Sequence, residues 1–180
     1  MPAGVEEGIL RGIYSLGAKD GAQVRLLGAG TILREVLAGA ELLEADFGVT
    51  AEVFSVPSFT ELRRDGMATE RWNRLHPSEQ QRVPYVTEVL GSGDAPVVAS
   101  TDYNRALADG IREWVSGPYP VLGSDGFGRS VYRVALRRFF EVDRHHVVVA
   151  ALRALGRDED AAAAIAKYEI DAEAVAPWQR

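Results

Sequence analysis

Cysteine is absent from this 180-residue chain, which excludes disulfides, thiolate metal sites and a cysteine nucleophile, and is compatible with a reducing compartment. Histidine is scarce, with three in all. None are paired at the i, i+4 spacing of a helical metal site: His76 sits between Leu75 and Pro77, and His145 and His146 are adjacent, so they are expected to point apart on a helix. A Gly-x-Ser-x-Gly nucleophile elbow is also missing. Neither a metal site nor a catalytic triad is expected. No apolar run approaches the length of a membrane span, and the start MPAGVEEGIL lacks the basic opening and continuous apolar core of a signal peptide. A cytoplasmic location with no membrane partner follows as an expectation. Basic side chains are outnumbered, 20 Lys and Arg against 26 Asp and Glu, and a net charge of −6 argues against nucleic acid as a partner, since phosphate binding is driven by lysine and arginine. Two local arginine pairs, Arg63–Arg64 and Arg137–Arg138, read as solvated helix faces.

What is present is the ordinary composition of a globular domain: at 47% hydrophobic and 26% charged, 180 residues suffice for one core. Residues 5–14 are helix-compatible with Glu6 and Glu7 in the first turn, although 13–16 could instead open a hairpin through GAKDGA into QVRLLG. Residues 24–27 predict a strand ending in Gly28-Ala29-Gly30-Thr31, with Thr31 capping a helix whose apolar face is Ile32, Leu33, Val36, Leu37, Ala40 and Leu43. A second strand covers 51–56. Ser58 and Glu61 then form a Ser-x-x-Glu capping box that starts a helix. The aperiodic stretch 67–84 reads as a long surface excursion, followed by a short helix at 85–90, a strand at 96–100, a helix at 104–115 and a strand at 119–122. From His145, HHVVVAALRALG is read as helix, because Asp143 stands at the N-cap and Val147, Ala150, Ala151, Ala154 and Leu155 recur at helical spacing; an alanine-rich helix opens at Asp158. Four strands each followed by a helix predict an α/β fold of three layers, α/β/α, with a mostly parallel mixed sheet of about five strands, the 13–16 segment being antiparallel.

Ligands of such sheets bind at the carboxyl ends of the strands. That edge gathers a candidate anion site of Gly28, Gly30, Thr31, Ser58 and Arg129. Asp102 and Asp125 could form a carboxylate pair there, with helix capping and turn stabilisation as the simpler roles. The loop LGSDGFGRS, 122–130, has neither the Gly-x-Gly-x-x-Gly nor the Gly-Lys-Ser/Thr pattern of phosphate loops, and its Ser130 could open a helix.

The segments VRLLGAGTILREV, VFSVPSFTELRRDG, ERWNRLHP, RVPYVTEVL, ASTDYNRALADGIREWV, VLGSDGFGRS and RRFFEVDRHHVVVAAL, in that order, closely resemble the carboxy-terminal domain of the homodimeric pyruvate dehydrogenases, transketolase-like thiamine diphosphate enzymes. The likeness extends over nearly the whole chain, irregular stretches included. It implies that residues 1–180 form the single last domain of a larger oxidoreductase, with 1–20 as lead-in helix or edge strand, and that MPAGVEEGI is where a middle domain hands over. By the same resemblance, the whole enzyme decarboxylates pyruvate on thiamine diphosphate and magnesium. It passes the acetyl unit to the lipoyl group of the acetyltransferase component of the pyruvate dehydrogenase complex, on the route from glycolysis to acetyl-CoA. The family holds its diphosphate and metal around a Gly-Asp-Gly motif with a downstream asparagine in the amino-terminal domain, and its pyrimidine ring on a glutamate of the middle domain. The nearest strings here, SGDA at 92–95 and SDGF at 124–127, do not spell that motif, so thiamine diphosphate and magnesium are expected to bind outside this chain and no catalytic residue is assigned within it. The expected role is a non-catalytic assembly domain, inactive alone, whose partners are the remaining domains and the second subunit, with Phe127, Trp72 and His76 as interface candidates. The alternative is a regulatory domain with an anion or nucleotide site at the strand ends.

Overall fold

The computed structural model describes residues 4–179. Five strands, β1 (Tyr14–Ser15), β2 (Val24–Gly28), β3 (Ala51–Ser55), β4 (Val97–Ser100) and β5 (Val121–Leu122), form one sheet in the order β1-β3-β2-β4-β5. β2, β3, β4 and β5 are parallel, and β1 is the antiparallel edge, pairing Tyr14 with Ser55. The edge strand's neighbour is therefore β3, not the following strand that a hairpin through GAKDGA would have chosen.

Both faces of the sheet are covered, as parallel strands with apolar side chains on both faces require. Leu26 lies in register with Val53 and Val98, and this row joins the core beneath α2 (Leu33–Phe47), α7 (Arg144–Ala154) and α8 (Asp158–Lys167). One residue on, Leu27, Phe54 and Ala99 belong to the opposite core, with Phe59 and Leu62 of α3 (Phe59–Leu75), Val86 and Leu90 of α4 (Tyr85–Leu90) and Ala108 of α5 (Arg105–Asp109). The period-two alternation of each strand thus distributes its side chains between the layers. α1 (Glu6–Arg11) precedes β1, and α6 (Arg133–Phe139) follows the loop after β5. The architecture is three-layered α/β/α, as read from the sequence.

Several local expectations need correction. Residues 67–75 are not an excursion but the second half of α3; the irregular chain begins at His76 and is folded back, with Asn73 and Arg82 exchanging two hydrogen bonds of 2.9 and 2.8 Å. Thr31 caps nothing: it lies in a 3-10 turn, Gly30–Ile32, ahead of α2, and neither start has a side-chain cap. The helix expected over 104–115 stops at Asp109 and resumes as a 3-10 turn at Arg112–Trp114, although Asn104 does cap it by accepting from the Leu107 N–H. β5 is shorter than 119–122; the carbonyls of Pro118 and Pro120 still accept from Val97 and Ala99. Ser130 opens no helix, since α6 begins at Arg133. Only half of the capping box forms: Ser58 Oγ accepts from the Glu61 N–H at 3.1 Å, while the Glu61 carboxylate turns outward to Arg64.

Candidate functional site

The parallel strands deliver Gly28, Ser55, Ser100 and Leu122 to one edge, and the loops that follow form the candidate site. Gly30 has φ of +57°, and a Cβ there would stand 2.7 Å from the Asp102 carboxylate, so the turn needs glycine on both counts. Thr31 Oγ1 donates to the same carboxylate at 3.4 Å. A negative charge therefore stands against the turn where an anion would be received. Gly28 does a different job: its missing Cβ lets Leu33 of α2 close onto the end of β2, with 2.8 Å between the built Cβ and the Leu33 Cα.

The five anion-site candidates do not converge. Gly30 and Ser58 line one cavity of about 360 Å3 with Pro57, Thr60 and Tyr103. Thr31 lines another, of about 310 Å3, with Asp102, Ser124, Arg133 and Arg137. Arg129 sits elsewhere, its guanidinium 3.9 Å over the Phe139 ring. Asp125 does not join Asp102 in a carboxylate pair; it accepts from the Arg105 N–H at 3.1 Å. Among the described residues, no group of three or more histidine, aspartate or glutamate side chains is placed to hold a metal ion, and no helix is long and apolar enough to cross a membrane. A magnesium diphosphate does not fit these residues, because Asp102 is the one carboxylate lining the cavity beside the glycine turn and no second acidic or histidine side chain lines it to help hold the metal.

The interface candidates differ sharply. Trp72 is stacked on His76, centroids 4.4 Å apart, with the Arg82 guanidinium 3.8 Å from its ring centroid. His76 Nδ1 lies 2.8 Å from the Trp72 carbonyl, which can only accept, so the proton is on Nδ1. Both side chains are half-buried. Phe127 is 83% exposed in the loop after β5, and Val131, Tyr132 and Val134, close behind it in sequence, are exposed as well. The loop itself is supported: Gly126 packs on the Pro177 backbone, and the Ser124 N–H donates to the Tyr103 carbonyl at 2.8 Å.

Sequence reasoning missed the buried polar groups behind this edge. Glu35 of α2 is 5% exposed and accepts from Arg137 at 2.7 Å and Arg144 at 2.9 Å. Burial alone would raise its carboxyl; hydrogen bonds and charge from Arg144, with the charge of Arg137, outweigh that and hold it below the usual range. Arg138 donates to the carbonyls of Tyr168 and Glu169, so the Arg137–Arg138 pair is structural rather than a solvated face. Nor do the adjacent histidines point apart. Asp143 caps α7 by accepting from the His146 N–H at 3.1 Å, and its carboxylate faces Nδ1 of His146 at 2.7 Å and of His145 at 3.8 Å. Burial acts to raise the Asp143 carboxyl, but hydrogen bonds from His146 win and lower it. Burial lowers His145, whose ring stacks on Tyr168 with Nδ1 unbonded.

The chain matches the family described as "Transketolase-like TK C-terminal domain" over residues 12–143. It is 58% identical over 182 residues to the pyruvate dehydrogenase E1 component of Pseudomonas aeruginosa, covering 96% of this chain and 21% of that protein. With the Escherichia coli K12 E1 component it shares 52% over 185 residues, covering 98% and 21%. The chain thus spans about a fifth of the length of these relatives. Among solved structures, transketolase from Leishmania mexicana superposes with a TM-score of 0.57 at 21% identity, over 84% of this chain and 19% of that one. Transketolase from Pichia stipitis in complex with sedoheptulose 7-phosphate gives 0.56 at 18%, over 84% and 19%.

Proposed function

The chain belongs to the transketolase-like C-terminal domain family, and from that premise we propose that it is a non-catalytic assembly domain of a pyruvate dehydrogenase E1 enzyme. Its work is to present a rigid, three-layered body whose strand-end loops dock on the remaining domains or the second subunit. The enzyme as a whole decarboxylates pyruvate with thiamine diphosphate and magnesium held by its other domains, and hands the acetyl unit to the acetyltransferase component.

The observation that carries this reading is the strip of sequence Phe127, Val131, Tyr132 and Val134, four large apolar side chains exposed within eight residues that run from the loop after β5 into α6. Isolated apolar residues are normal on a surface; four so close in sequence, two of them aromatic and with Arg129 and Arg133 between them, have the composition of an interaction hot spot. Glu35, Arg137 and Arg144 tie α6, which carries Val134, to α2 and α7, so the strip is mounted on the core.

The test compares two contexts. Phe127→Ser with Tyr132→Ser should leave the stability of the isolated chain within about 0.5 kcal/mol, because neither ring is buried in it. In the full-length enzyme the same pair should weaken subunit or domain association by tenfold or more, read by sedimentation velocity across a dilution series. Equal association in variant and parent would refute the assembly role of this strip.

A further inference from the structure

The cavity between the strand ends and α6 has a charge pattern that the assembly role does not use. One wall is a single face of α6 continued past its end, Arg133, Leu136, Arg137 and Phe140, at spacings of three and four residues. The other is made by the turns after three strands: Thr31 and Ile32 after β2, Asp102 after β4 and Ser124 after β5. Val142 completes an apolar lining with Ile32, Leu136 and Phe140. Its volume of about 310 Å3 is at the small end of the range for metabolite pockets.

Opposite charges face this space without meeting. Among the described residues Arg133 forms no ion pair and no side-chain hydrogen bond, and Asp102 accepts only from the Thr31 hydroxyl. Arg137 is committed to Glu35 through one guanidinium nitrogen. A simple anion would satisfy Arg133 but be repelled by Asp102; a simple cation would meet the reverse. A molecule with a carboxylate and an ammonium a few bonds apart satisfies both, and the apolar lining accommodates a short aliphatic tail.

We propose that this cavity, with Arg133 and Asp102 on its opposite walls, binds a small zwitterion of the aliphatic α-amino acid class. The carboxylate is received by Arg133 with help from Arg137, the ammonium by Asp102 with the hydroxyls of Thr31 and Ser124, and the side chain by Leu136, Phe140, Ile32 and Val142. The site is distinct from the exposed strip, so it stands or falls separately from the assembly reading.

The test is an NMR shift titration of the 15N-labelled 180-residue chain with L-leucine, beside two probes that each keep one charge, 4-methylpentanoate and 3-methylbutylamine, and inorganic phosphate. Saturable shifts at residues 31–32, 102, 124 and 133–142 are expected, with leucine bound about tenfold or more tightly than either single-charge probe. Asp102→Asn and Arg133→Gln, both at exposed positions and so expected to fold, should each weaken leucine about tenfold. Three results would overturn the proposal: no saturable shifts with leucine into the tens of millimolar, leucine no better than 4-methylpentanoate, or phosphate binding that is indifferent to Asp102→Asn.

Discussion

Glu35 shows what a single residue contributes to holding the site in place. Its carboxylate, buried between Arg137 of α6 and Arg144 of α7, joins three helices on one side of the sheet. Glu35→Gln would leave two guanidinium groups without their counter-charge, and a loss of about 3 kcal/mol is expected in urea unfolding. Protonation probes the same region. Glu35, Asp143 and His145 all have folded-state pKa values below their ordinary 4.5, 3.8 and 6.5, so the unfolded chain takes up protons first and stability falls as pH drops. His145 begins this loss just below pH 6.5, facing Asp143, Arg138, Arg144, His146 and Tyr168; the carboxylates continue it below pH 4.5. His145→Phe, which keeps a ring on Tyr168, should remove the upper part of the decline from a Tm-against-pH series. An unchanged profile would refute that assignment. None of these partnerships was legible from spacing, because Glu35 and Arg144 are 109 positions apart and two adjacent histidines give no sign that one capping carboxylate will turn both toward itself.

At the scale of elements, legibility followed the kind of contact that defines each one. The strands and α2 carry their burial as a repeating apolar pattern, and Ser58, Asn104 and Asp143 announce helix starts through local chemistry, so these were readable. The second half of α3 was not, because its buried face is Gly66 and Thr69 rather than large apolar residues. Gly66 is small because Trp114 lies on it: a Cβ there would stand 2.4 Å from the indole, which is itself held by Glu70 at 2.8 Å. Gly66→Ala should therefore cost about 1 to 3 kcal/mol despite the better helix propensity of alanine, measurable by thermal unfolding. A stabilised variant would show that the Trp114 contact is not tight. Ser58→Ala should cost about 1 kcal/mol, since only the Ser58 half of the capping box is made. The candidate anion site failed to assemble for a related reason: the order of strand ends is readable, but which side of the Gly30 turn each loop falls on is decided by tertiary packing.

As a whole, the molecule is a five-stranded sheet with a core on each face and loops at the carboxyl ends of its parallel strands. The sheet, two cores and the Glu35 ion cluster hold the strand-end loops. The exposed side chains of Phe127, Val131, Tyr132 and Val134 and the cavity between Arg133 and Asp102 both lie at or just beyond those loops, and none of the four lines the cavity. The fold class and the family were legible together, because irregular segments such as SFTELRRDG and ERWNRLHP constrain sequence as closely as the strands do. Residue roles were not, since an assembly surface is defined by exposure, which no spacing rule reports. The central claim is that this domain builds the enzyme without holding its cofactor. The measurement that tests it most directly is calorimetric titration of the chain with thiamine diphosphate in the presence of magnesium. No saturable heat is expected; saturable binding with a defined stoichiometry would show that this domain holds the cofactor.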